Sequence, residues 1–289
     1  MFGEDFAKAR SHWLYPREPL QHFWRSLGFF VLLFGLYYVA QVVAGMLLYH
    51  FYFGGNFSNL QGVLTGEGAN VALSADGILL AKSMVVGIFP SGLPIAIAAL
   101  YFSHFGLPGR LGKLPMEWPR ISVFGWILIL VCFVIFMGIA ANVIFAGLGI
   151  DPTSYETTAK GLSDTQSNAG TVEKSMAELA QDPILFIFAM PGILIAAPLV
   201  EEILCRGVLF AGIAQTRLGW IGAVLITSAV WAVLHAGAAP WLFVAILFVM
   251  GLVLGVLLLR FGSLWVTIAC HTAWNALFTL TVFSVGPHT

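Results

Sequence analysis

Residues 184–215 read ILFIFAMPGILIAAPLVEEILCRGVLFAGIAQ. The run exceeds the roughly 20 apolar residues a helix needs to cross a bilayer. Glu201, Glu202 and Arg206 interrupt it, and apolar sequence resumes at once with Gly207, Val208, Leu209 and Phe210. We read it as one long span with charges inside it. A charge at mid-membrane costs at least about 2.5–3.5 kcal/mol on insertion scales and marks a functional interior.

Six more runs of comparable character flank this one: 27–53, 78–102 and 121–148 before it, and 220–236, 241–259 and 264–285 after it. Short connections make the last three neighbours. The composition agrees, with 59% hydrophobic and only 9% charged residues and a mean hydropathy of +0.91. Soluble domains are about 25% charged, so a water-covered fold is excluded. The expected fold class is all-α, a polytopic transmembrane bundle of about seven spans. The formal net charge of −1 and the lack of a basic stripe exclude nucleic acid as a partner. Cys132, Cys205 and Cys270 each sit in apolar sequence, as buried hydrophobes do, rather than in a disulfide framework. The first apolar run is too long for the core of a cleavable signal peptide.

Basic residues orient the bundle. With the N-terminus cytoplasmic, inner segments hold Lys8, Arg10, Arg17, Arg25, Arg110, Lys113, Arg120, Arg217 and Arg260, and outer ones only Lys160 and Lys174. Lys82 and Arg206 fall inside spans. Nine against two supports seven spans with the C-terminus outside, in the cell (plasma or inner) membrane. The expected division is a cytoplasmic tail at 1–26, N-terminal spans and an outer loop at 27–183, and core spans at 184–285. In the tail, Phe6, Trp13, Leu14 and Trp24 interleaved with bases suit an interfacial anchor. Residues 54–77, rich in Gly, Asn and Ser, read as a loop. Residues 151–182 hold a helix-like stretch around 171–181 that could lie on the surface as a lid.

Three polar clusters lie in the second half. In the first, Glu202 and Arg206 are four apart and share a helix face, where they can pair, while Glu201 is turned about 100 degrees away with no partner on its own helix. An isolated carboxylate in a dry interior suits general-base work. Pro198, just upstream, frees a backbone carbonyl and permits a kink. The plainer alternative is a structural salt-bridge knot. The second cluster pairs Trp231 with His235. The third, His271 and Asn275, lies one turn apart on one face; two such donors can hold an anionic oxygen, or simply bond neighbouring helices. At about 1.5 Å per residue, Glu201 and His235 lie about 22 and 24 Å from the inner ends of their spans, and His271 and Asn275 about 12 and 18 Å.

Together these clusters resemble the CPBP family of intramembrane proteases, which includes the CAAX prenyl endopeptidases and relatives linked to bacteriocin handling. The family carries Glu-Glu-x-x-x-Arg, aromatic-x-x-x-His and His-x-x-x-Asn/Asp motifs on successive core helices. Here they are Glu201, Glu202 and Arg206, then Trp231 and His235, then His271 and Asn275. The aromatic is usually Phe; Trp231 departs from that in a way that should touch packing more than chemistry. The first three spans carry no such signature. The resemblance implies an endopeptidase acting on membrane-associated or lipidated peptide or membrane-protein substrates, with membrane lipid as its other partner. Glu201 and His235 would activate a water, and His271 and Asn275 would stabilise the oxyanion. Glu202, Arg206 and Trp231 would support the site, and no cofactor or metal is needed. A zinc site built from a Glu and two His is the competing version, although no His-Glu-x-x-His helix is present.

Two rivals come from other classes. A non-catalytic scaffold or bacteriocin-immunity protein of the same fold would have no use for an unpaired buried Glu201. A proton-coupled transporter would spread polar groups along several helices, whereas the first three spans offer Gln41, Lys82 and Asn142. Gly251 and Gly255 have the spacing of a helix-packing or homodimer face.

Overall fold

The computed structural model describes residues 21–57, 75–105, 114–148, 179, 182–236 and 241–285. The N-terminal anchor other than Trp24, most of the 54–77 loop and nearly all of the outer 151–182 segment lie outside these residues. Seven helices account for the regular structure described: α1 Gln21–Phe51, α2 Ala75–Phe105, α3 Val123–Gly147, α4 spanning 183–214, α5 Gly219–Leu234, α6 Trp241–Phe261 and α7 Leu264–Val285. The seven apolar runs coincide with them; the largest end difference is the start of α1, at 21 rather than 27. Backbone groups in lipid must be satisfied within the segment, so a long apolar run has little choice but helix.

Five helices (α1, α2, α3, α4 and α6) are long and apolar enough by themselves to cross a membrane. At 16 residues, α5 is about 24 Å long, short of a roughly 30 Å hydrocarbon core. Its short length leaves His235, its C-cap, within the bundle's depth. α7 has 22 residues and carries His271 and Asn275 in its middle.

α4 is the axis around which α1, α2, α5 and α7 pack, while α3 rests on α6 and α7. It starts at a cap: Asp182 Oδ1 accepts from the backbone N–H of Ile184 and Leu185, both at 3.1 Å. It is not a uniform α-helix. Two π-helical stretches, Gly192–Ala196 and Glu202–Leu209, alternate with α-helical turns. Pro198 supplies a reason for the first. It has no N–H to give Leu194 O, four residues back, or Ile193 O, five back. Two α7 side chains satisfy those carbonyls: Thr272 Oγ1 donates to Leu194 O at 2.8 Å and Asn275 Nδ2 to Ile193 O at 2.9 Å. The defect in one helix thus sets the docking register of another.

Small residues fix the other contacts. A Cβ on Gly251 would meet Ser228 Cβ at 2.8 Å, and one on Gly255 would meet Val224 Cγ1 at 3.2 Å. This stripe is therefore filled by α5 of the same chain and is not a free face for a second copy. Tight turns join α4 to α5 and α6 to α7, with Gly219 and Gly262 at φ of 58° and 64°, values that other residues adopt at a cost. The link into α3 is tied to the α6–α7 turn, where Ser263 Oγ donates to Glu117 O at 2.7 Å and Trp265 Nε1 to Met116 O at 3.0 Å.

Candidate active site

Each polar cluster comes from a different element: Glu201, Glu202 and Arg206 from α4, Trp231 and His235 from α5, and His271 and Asn275 from α7. Glu201 ends an α-helical turn, and the π stretch begins with Glu202. The two glutamates, adjacent in sequence, have separate surroundings.

Glu202 is wholly buried and faces inward. Its Oε1 accepts from Arg206 Nη1 and from His271 Nδ1, each at 3.0 Å. Arg206, also wholly buried, lays its guanidinium over the Trp231 ring, 4.5 Å from the centroid. Charges taken so far out of water persist only when paired, as these are through Glu202 Oε1.

Glu201 faces a different neighbourhood and is 13% exposed. Its Oε2 accepts the indole N–H of Trp231 at 2.6 Å. Two imidazole nitrogens stand slightly further off, His235 Nε2 at 3.8 Å and His271 Nε2 at 3.9 Å. Those separations are too long for direct hydrogen bonds, but a water can touch the carboxylate and an imidazole together. His235 is one-third exposed, so the group is reachable, while His271 is 4% exposed.

The second ring nitrogens settle the tautomers. His235 Nδ1 is 2.8 Å from the Trp231 carbonyl and His271 Nδ1 faces the Glu202 carboxylate. Both partners only accept, so both Nδ1 atoms carry hydrogen. Neutral His235 therefore turns a lone pair on Nε2 toward Glu201.

Trp231 does more than pack: its N–H is the hydrogen bond on Glu201, which a phenyl ring could not supply. Asn275 does not stand free beside His271 either, since one of its amide hydrogens is spent on Ile193 O. A further group escaped the sequence reading. Tyr37 of α1, 6% exposed, meets Ala196 and Val200 of α4 around Gly92 of α2, so the N-terminal helices pack on α4 just ahead of Glu201. A tyrosine within an apolar run carries no signal that separates it from ordinary packing.

Among the described residues, no group of three or more His, Cys, Asp or Glu is arranged to hold a metal ion. An apolar cavity of about 430 Å³ opens elsewhere, between the start of α1, the end of α4 and one face of α5, lined by Phe23, Leu27, Leu209, Ile213 and Arg217 among others. None of the Glu201 cluster lines it.

No curated protein and no solved structure matches the chain. Residues 183–277 match the family model described as Type II CAAX prenyl endopeptidase Rce1-like. The match takes in α4, α5, α6 and most of α7, about a third of the chain, and contains all seven residues of the three clusters. This four-helix segment, with the buried carboxylates and imidazoles it brings together, is thus similar to the CAAX prenyl endopeptidase family.

Proposed function

We propose that the protein is an intramembrane endopeptidase of glutamate type, cleaving peptide bonds of membrane-associated or lipidated substrates with an activated water. One observation carries the reading: Oε2 of Glu201 lies within 4 Å of Nε2 of both His235 and His271. A water between Glu201 and His235 meets two acceptors. It donates a hydrogen to each and keeps a lone pair for the scissile carbonyl carbon. As that lone pair attacks, the carboxylate takes the proton. The tetrahedral oxyanion then needs donors. His271 already gives its Nδ1 hydrogen to Glu202, so its Nε2 donates only when both ring nitrogens carry hydrogen. In that form the cluster holds two carboxylates against one guanidinium and one imidazolium, and its charges balance. Asn275 adds its second amide hydrogen. The protonated Glu201 returns its proton to the leaving amine, which closes the cycle.

The family description supports a CAAX-type substrate, a peptide whose tail carries a prenyl group. A zinc-dependent version would make Glu201, His235 and His271 metal ligands. Against it stands the indole N–H already directed at the same Glu201 oxygen. The test is cleavage of a prenylated fluorogenic peptide by purified protein in liposomes. The Glu201→Gln variant should fold normally and lose cleavage by at least about a thousandfold, as removal of a base does. Wild-type activity should survive exhaustive chelation. Loss on chelation with recovery on added zinc would replace the glutamate mechanism by the metal one, and full activity in Glu201→Gln would end both.

A further inference from the structure

We propose that Trp231 is a positioning residue, whose indole N–H holds the Glu201 carboxylate in the orientation that faces the two imidazoles. The inference rests on Glu201 being the general base. A glutamate has several rotatable bonds, and one that borders a partly exposed site samples several rotamers unless something fixes it. Neither histidine does so, at 3.8 and 3.9 Å. The Trp231 N–H, at 2.6 Å, does.

Trp231 is itself immobilised. It is 1% exposed, carries the Arg206 guanidinium over its face at 4.5 Å, and has the rings of His235 and His271 packed edge-on at 5.1 and 5.3 Å. Its backbone carbonyl accepts from His235 Nδ1. One residue thus orients both groups that flank the proposed water: its side chain holds Glu201 and its carbonyl holds His235. The bond leaves the base usable, because a carboxylate oxygen has a second acceptor site. A residue present only for packing would need the ring and not the N–H.

Trp231→Phe keeps a ring and removes the N–H. In the liposome assay it should lower kcat roughly ten- to hundredfold, the range for one hydrogen bond to a charged group, with KM nearly unchanged. Wild-type kcat in this variant, with cleavage still lost in Glu201→Gln, overturns the positioning role and leaves the protease reading intact. A second measurement needs no Trp231 variant and no turnover. With the nine tryptophans labelled at the indole nitrogen, Glu201→Ala should shift one indole N–H resonance strongly and speed its exchange with solvent. If no indole resonance responds, the proposal is wrong whatever the activity shows. A responding indole alongside full cleavage by Glu201→Gln would keep the contact but sink the base assignment, and with it the positioning role.

Discussion

At the scale of single residues, the two adjacent glutamates have surroundings that one carboxylate could not combine. Glu202 is closed in by Arg206 and His271, and Glu201 is left where water can come. The wholly buried pair has a predictable energetic signature. Removing one partner strands the other's charge, at a cost of about 3–5 kcal/mol, whereas replacing both with apolar residues of similar volume is often neutral. Glu202→Ala should therefore lower stability by about that amount, measured by denaturant or thermal unfolding in detergent. Glu202→Leu combined with Arg206→Met should recover most of it. The double variant should still be inactive in the cleavage assay, because His271 loses the acceptor that fixes its Nδ1. Stability recovered together with activity would show that the pair serves neither orientation nor charge balance.

At the scale of elements, the unusual helix is α4, and its irregularity locks α7 in place. Because Pro198 cannot donate, Leu194 O and Ile193 O look outward and capture Thr272 and Asn275. Those side chains are three apart on the face that also carries His271, so the same contact delivers His271 to Glu202. Thr272→Val should cost about 0.6–1.7 kcal/mol, the measured range for interhelical hydrogen bonds in membranes. In a Pro198→Ala background the cost should shrink toward zero, since the new backbone N–H takes the Leu194 carbonyl. An equal cost in both backgrounds, read as a double-mutant cycle of unfolding free energies, would separate the proline from the docking. Little of this was legible beforehand. Pro198 in an apolar run announces a freed carbonyl but not its recipient, and the π-helical turns leave no mark in hydrophobic periodicity. The hydrogen bond that Trp231 makes was hidden for a similar reason, although the residue itself stood out. An indole among apolar residues reads as packing until the rotation of α5 aims its N–H at another helix.

At the scale of the whole molecule, the helices were legible because lipid leaves an apolar run no alternative to internal hydrogen bonding, and the polar clusters because nothing else charged shares their surroundings. Relative depth was not legible. Counting from span ends sets Glu201 about 10 Å deeper than His271. The offset vanishes because α4 runs past α7: Gly207 packs beside Leu264, the first residue of α7. From that level Glu201 is six residues along α4 and His271 seven along α7 (207 − 201 and 271 − 264). The same arrangement makes the orientation of the bundle testable. Arg25 near the start of α1, Arg217 in the α4–α5 turn, and Arg120 and Arg260 beside the α6–α7 turn belong to one end, since α4 and α6 both finish there and the 114–120 link is bonded to that turn. His235 closes α5 toward the opposite end. If positive charge marks the cytoplasm, the site opens toward the outside. In a Cys132→Ser background, with Cys205 and Cys270 buried, Ala236→Cys should react with a membrane-impermeant maleimide on intact cells. Leu218→Cys, in the arginine-bearing turn, should react only after permeabilisation. The reverse pattern would invert the protein in its membrane and open the candidate site toward the cytoplasmic side, with every contact in the site unchanged.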